Sequence, residues 1–358
     1  MINLRLVNWQ VALASILLVC VGILVIFSSS KELAIQQLIF SALGLFFFFV
    51  VSQIDIHALT NFAKLIYLLI IFLLIAVLII GFETRGTLRW IPLGIFNIQP
   101  SEFAKPALII FLAKFWSENL PTWKNIFKSL LWSAPLFILI FRQPDLGSAL
   151  TISAIWIGLL FAARISFKKI IIIILITAFT IPLSWTILHD YQRQRIVSFI
   201  SPQSDPLGRG YNLIQSTIAV GSGQFLGRGL GRGTQSRLQF LPEFRTDFIF
   251  ASIAEEMGLL GSSLILSLYL FLIIYGLSLA NKISDPANFL VVIGVISMLL
   301  FQTSVNIGMN MGLLPITGIT LPLISYGGSS LISTFISLGL ISSAWKFGKR
   351  IDREALGG

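Results

Sequence analysis

Cysteine is almost absent from this chain: Cys20 is the single one among 358 residues. No intramolecular disulfide and no cysteine-based metal site can form. Histidine is nearly as scarce. His57 and His189 are far apart in sequence, which excludes a histidine-rich metal site but not a magnesium or manganese ion held by carboxylates. The largest shortage is of charge. Asp, Glu, Lys and Arg make up 11% of the residues, against roughly a quarter in soluble domains. Disorder, a coiled coil and a soluble enzyme with a water-covered surface are thereby excluded.

Apolar residues, 56% of the chain, take the place of charge. Runs such as Leu13–Phe27, Leu38–Val51, Leu65–Ile80 and Ile170–Ile181 carry almost none. A helix needs about 20 mainly apolar residues to cross a bilayer, so these runs predict an all-α polytopic membrane protein, a single domain over 1–358. Ten transmembrane helices are predicted, at about 9–28, 34–53, 62–82, 101–116, 126–142, 147–163, 168–188, 247–279, 287–311 and 322–346. Pro106 and Pro135 interrupt the fourth and fifth. No cleavage site of the signal-peptide kind follows the first run.

An even number of spans puts both termini on one side. With that side cytoplasmic, the inner segments hold 13 basic residues and the short outer segments five: Lys31, Arg85, Arg89, Lys105 and Arg142. The remaining seven lie in one long loop, about 189–246, which the positive-inside rule discounts. Both termini are predicted cytoplasmic and this loop extracytoplasmic. The net charge of +10 is scattered between apolar segments rather than gathered on a soluble face, so nucleic acid is not a predicted partner. Most Gly, Pro, Asp and Glu fall in the outer connections, and chemistry is expected to open to the outside.

Four constellations stand out there. In Leu241-Pro242-Glu243-Phe244-Arg245-Thr246-Asp247, a polar loop turns into a long apolar helix at Asp247. Thr246 or Asp247 could simply cap that helix; alternatively, Asp247 is a carboxylate facing an outer cavity and suited to accept a proton. Asp247, Ala251 and Glu255 share one helix face, which puts Glu255 and Glu256 about 12 Å deeper, as structural partners or part of a site. The second group is Arg89-Trp90-Ile91-Pro92 with Gln99-Pro100-Ser101-Glu102 and Lys105, where a lysine at a cavity mouth can meet phosphate. Gln143-Pro144-Asp145-Leu146-Gly147-Ser148 echoes it, with Asp145 readable as a cap.

The long loop supplies the third group: Arg195, Gln215 and a glycine-dense stretch over 221–235. That stretch has no preceding strand and no Gly-Lys-Ser/Thr, so ATP binding is rejected. It reads as a flexible loop, or as backbone N–H groups and guanidinium forks that approach a diphosphate. Last, Asn306–Pro315 and Leu321–Ser330 suggest a helix that breaks and resumes near the outer side, a geometry found where backbone is buried in protein or lines a cavity.

Arg89-Trp90, Gln99-Pro100-Ser101-Glu102 with Lys105, Gln143-Pro144-Asp145-Leu146-Gly147, Leu241-Pro242-Glu243 with Thr246–Phe250, and Leu321–Ser329 occur in this order along essentially the whole chain. In this the sequence resembles the SEDS family (shape, elongation, division and sporulation) of RodA/FtsW peptidoglycan polymerases. Gly233-Thr234-Gln235-Ser236 and the short N-terminal tail are similar to the RodA branch, whereas Asn310-Met311 leans towards FtsW; Arg245 stands where many relatives have histidine.

The resemblance implies a peptidoglycan glycosyltransferase in the bacterial cytoplasmic (inner) membrane that polymerises lipid II into β-1,4 glycan strands, with its active site facing outside. Its implied partners are lipid II, the nascent strand, membrane lipids and a class B penicillin-binding protein as transpeptidase. Asp247 matches the family's catalytic aspartate and is the expected general base. Lys105, Glu102, Arg89, Trp90, Asp145, Arg195 and Gln215 are the expected substrate-binding residues. Asp247, Glu102 or Asp145 are the expected ligands if Mg or Mn is used. The alternative activity is a carrier that moves lipid II across the membrane, which needs polar residues along a path through the spans.

Overall fold

The computed structural model describes residues 7–80, 82–84, 87–92, 97–184, 186, 190–208, 210–238 and 240–355. Arg5, Arg85, His189, Arg209 and the end of the predicted seventh span lie outside them. Each of the ten predicted spans falls on a helix: α1 (Trp9–Ser29), α2 (Lys31–Gln53), α4 (Ala63–Ile80), α5 (Pro100–Glu118), α6 (Trp123–Arg142), α7 (Leu146–Ala162), α8 (Phe167–Ser184), α12 (Ile249–Ala280), α13 (Pro286–Asn310) and α14 (Gly328–Ala355). The short α3 (Ile56–Asn61) joins α2 to α4. Starts are set where the sequence offers an acceptor for free N–H groups: Asn8 receives Val11 N at 3.3 Å, Asp145 receives Ser148 N at 3.1 Å and Asp285 receives Asn288 N at 2.8 Å. The result is an all-α polytopic membrane protein.

One core joins the helices. Leu18 and Ile26 of α1, Leu108 and Leu112 of α5, Ile155 and Leu159 of α7, Val291 and Val295 of α13, and Leu338 and Ile341 of α14 are buried in a single cluster. The outside is equally apolar, with Leu17, Phe72, Ile79, Phe127 and Phe179 each more than half exposed. An apolar exterior of this kind is stable only against lipid.

Neither proline ends its helix. Pro106 lies inside α5 and Pro135 inside α6. Pro106 cannot donate to the carbonyl of Glu102, four residues earlier, and Ser333 Oγ of α14 donates to that carbonyl instead, at 2.7 Å. A neighbouring helix has taken over the missing bond, as membrane bundles allow.

The connections between the helices hold structure that the hydropathy pattern does not show. β1 (Phe82–Thr84), β2 (Thr87–Pro92) and β3 (Asn97–Ile98) form a small antiparallel sheet in sequence order ahead of α5. The long loop is folded into α9 (Asp190–Ile200), α10 (Tyr211–Ser222) and α11 (Thr234–Arg237). The predicted tenth span starts at Gly328 rather than 322, because residues 311–327 run as turns and extended backbone between α13 and α14.

α12 is two helices across a break at Gly258 (φ 63°, ψ −158°). The glycine-dense segment fills the gap. Leu259 N donates to Gln224 O at 2.9 Å and Leu260 N to Phe225 O at 3.3 Å, while Arg228 N donates to Glu255 O at 2.9 Å and Gly229 N to Glu256 O at 3.0 Å. The contact is backbone to backbone: a Cβ on Gly227 (φ +81°) would lie 2.3 Å from Glu256 O. This corrects the reading of 221–235 as a flexible or phosphate-cradling loop, since its N–H groups at 228 and 229 already have partners.

The break also corrects the depth expected for Glu255 and Glu256. Glu256 accepts Ser28 Oγ at 3.0 Å, next to the end of α1, and Glu255 accepts Thr234 Oγ1 at 3.1 Å and Gln235 N at 2.9 Å. Both are buried at the level of the helix ends and tie the long loop and α1 to α12. The 22 residues after the break (259–280) reach roughly 33 Å, enough to span by themselves.

Candidate active site

A cavity of about 660 Å³ opens among the N-terminal ends of α5, α7 and α14, the sheet, α9, and the segments 243–247 and 317–320. Asp247, Glu102, Lys105, Arg89, Trp90, Asp145 and Arg195 all line it. Seven of the eight expected site residues are thus brought together from distant parts of the chain. Gln215 is not among the lining residues. It is half-buried on α10, and its neighbour Ser216 is the residue that touches the site's support, donating to Asn310 O at 2.8 Å.

Asp247 precedes α12, whose N-cap position is Phe248, a residue with no side-chain cap bond to offer. Asn310 performs the task from α13: its Oδ1 accepts Ala251 N at 3.1 Å, one of the amides left free at a helix start. Its Nδ2 donates to Asp247 O at 3.0 Å, and Asn306 Nδ2 donates to the same carbonyl at 2.9 Å and to Ile319 O at 2.7 Å. Ser325 Oγ donates to Thr246 O at 2.6 Å and Tyr326 N to Arg245 O at 2.8 Å. The turn carrying Asp247 is clamped through its backbone from α13 and from the 321–327 turn.

Arg245 reaches away to α1, donating from Nε to Ser29 Oγ at 2.8 Å; partial burial lowers its guanidinium from the ordinary value. Burial raises the Tyr326 hydroxyl above its ordinary value, so it stays protonated and donates to Gln36 Oε1 on the cavity wall.

In the same lining, Lys105 Nζ donates to Glu102 Oε1 at 2.7 Å, and both side chains are buried. An ammonium has three N–H donors, and Glu102 is the one partner of this one among the described residues. Arg195 Nη1 donates to Thr317 O at 2.9 Å. A Cβ on the adjacent Gly318 would lie 3.6 Å from Asp247 Oδ2 and 3.9 Å from Arg195 Nη1, so the carboxylate and the guanidinium flank that glycine.

Two other expected ligands have much of their capacity taken. Asp145 accepts Ser148 N, Gln99 Nε2 at 3.0 Å and Ser101 Oγ at 3.1 Å. Arg89 donates from Nε to Gln143 O at 2.9 Å and from Nη2 to Pro144 O, fastening β2 to the α6–α7 turn.

The family model described as cell cycle protein, FtsW/RodA/SpoVE, matches residues 4–350. The chain belongs to this family. It is 40% identical over 316 residues to the peptidoglycan glycosyltransferase MrdB of Escherichia coli K12, covering 87% of this chain and 85% of that one. It is 36% identical over 356 residues to the stage V sporulation protein E of Bacillus subtilis 168, covering 94% and 96%. Among solved structures it is similar to a chain of a peptidoglycan synthase complex that coordinates polymerization and crosslinking (TM-score 0.83, 31% identity, 96% and 98% covered). It is also similar to the rod shape determining protein RodA of Thermus thermophilus (TM-score 0.72, 27% identity, 95% and 96% covered).

In this FtsW/RodA/SpoVE chain, sequence reasoning missed Gln302, Thr317 and Thr320 in the lining, and Asn306 and Asn310 behind it. The i, i+4, i+8 spacing of the amides Gln302, Asn306 and Asn310 on one face of a mainly apolar helix is the signal that could have found them. The donor set is a poor match to a divalent cation held by protein alone. Among the described residues no three His, Cys, Asp or Glu side chains gather at one point; Glu102 is paired with Lys105, and Asp145 has three donors already.

Proposed function

We propose that this chain is a peptidoglycan glycosyltransferase that polymerises lipid II, with Asp247 as general base and the cavity on the extracytoplasmic side. The observation that carries the reading is one cavity lined by both a carboxylate on a clamped turn and a buried ammonium. Glycosyl transfer from an α-linked diphosphate donor needs both: a base for the attacking hydroxyl and positive charge for the leaving group.

The sequence of events follows from that placement. The C4 hydroxyl of the acceptor's GlcNAc attacks C1 of the MurNAc at the lipid end of the growing strand. Its proton passes to Asp247 as the new C1–O4 bond forms. The C1–O bond to the diphosphate breaks on the opposite face, so the product is β-linked and the anomeric centre is inverted. Lys105, with N–H donors beyond the one given to Glu102, and Arg195, beside Asp247, receive the charge of the departing diphosphate. The polyprenyl tails lie outside the cavity, along the lipid-facing helices. A class B penicillin-binding protein would crosslink the strand.

The carrier alternative is less well supported. A second cavity, at the opposite end of the bundle between Trp116, Arg164 and Phe289, shares no lining residue with the first. The deciding assay uses the purified protein with its transpeptidase partner and labelled lipid II. Glycan strands are expected from the wild type and not from Asp247→Ala that still folds and binds the partner; equal product from both would overturn the assignment.

A further inference from the structure

α13 presents Gln302, Asn306 and Asn310 on one face, one turn apart. Both asparagines are occupied with the backbone of Asp247 and its neighbours. Gln302 is about 6 Å farther along the helix from the clamped turn. It lines the same cavity, is 2% exposed, and its amide oxygen has no hydrogen-bond partner among the described residues. A buried acceptor left without a donor is costly, and whichever way the amide is turned it offers one acceptor and two donors.

The polar groups around it do not meet that need. Among the described residues none donates to its amide oxygen, and the one N–H that Lys105 gives within the protein goes to Glu102. An ionised diphosphate has only acceptors, so it cannot satisfy an amide oxygen. A neutral sugar donor can. We infer that Gln302 is a specificity residue of the polymerase site, whose buried amide oxygen accepts a hydrogen bond from a neutral N–H or O–H of the bound aminosugar. It reads the sugar, while Lys105 and Arg195 take the phosphates. This rests on the polymerase reading above and adds to it the part of the substrate that α13 recognises.

The acetamido N–H and a ring hydroxyl are the two sources of such a donor, and one experiment separates them. Initial rates of strand synthesis are measured with lipid II and with an analogue whose acetamido groups are replaced by acetate esters, which keeps the shape and removes the N–H. Wild type, Gln302→Leu and Gln302→Glu are compared, each first shown to melt as wild type and to bind the transpeptidase.

Gln302→Leu should lower kcat/KM on lipid II about tenfold, and Gln302→Glu, which keeps an acceptor, should recover most of it. If the ester costs the wild type a similar factor and costs the leucine variant nothing, the donor is the acetamido N–H. If leucine lowers both substrates equally, the donor is a hydroxyl. Unchanged kcat/KM in Gln302→Leu overturns the inference. So does a loss confined to product inhibition by undecaprenyl diphosphate, which would make Gln302 a phosphate contact. A wild type that makes no strand from lipid II defeats the polymerase reading itself, a result distinguishable from either.

Discussion

Asn306 and Asn310 hold the backbone of the turn that carries Asp247 into the cavity lining. Replacing Asp247 by Asn should lower kcat by about a hundredfold or more, the usual share of a general base, with folding intact; single-turnover rates on lipid II check it. A base must be ionised to act, so the wild-type rate should fall on acidification, and the slow asparagine variant should lack that limb. Asn310→Leu leaves Ala251 N–H and Asp247 O each short of a partner. Asn306 still donates to that carbonyl, so the one group left unsatisfied is Ala251 N–H; the change should cost about 1–3 kcal/mol and reduce kcat more than it raises KM. The Lys105–Glu102 pair makes a different case. Removing one charge of a buried pair costs about 3–5 kcal/mol, whereas removing both is far cheaper. Lys105→Met should therefore lower the melting temperature, Lys105→Met with Glu102→Gln should restore much of it, and neither should restore strand synthesis.

Among the elements, Pro106 and Ser333 form a testable pair. Ser333→Ala strips the Glu102 carbonyl of its donor and should cost about 1–3 kcal/mol. The same change in a Pro106→Ala background should cost much less, because alanine restores the helical N–H that proline lacks. Thermal melts of the four proteins measure the coupling. The spans themselves were legible in the sequence, since a bilayer-length apolar run is a local property that composition reports directly. The break in α12 was not, because its four repairing bonds join residues 224–229 to residues 255–260, and no local pattern reveals such a partner. The same holds for the asparagine clamp, whereas Lys105, Glu102 and Asp247 could be found as scarce charges at helix mouths. Gln215 had no such signal and lies outside the lining.

For the molecule as a whole, sidedness is the property to test. With Cys20 replaced by Ala, the chain has no other cysteine. A single cysteine at Gln203 or at Lys282, both exposed, should then report the two faces: an impermeant maleimide should label position 203 in intact cells and position 282 only after lysis. Labelling of 282 from outside would invert the topology. The cavity adds something further. Arg89, Glu102, Lys105, Asp145 and Arg195 precede the exposed segment 203–208, whereas Asp247, Gln302 and the asparagine clamp follow it. Cation and base thus belong to separable halves of one polypeptide. Cut within that surface segment, where chain breaks are best tolerated, the molecule becomes a two-piece device whose glycan output reads directly whether its halves have found each other in the membrane.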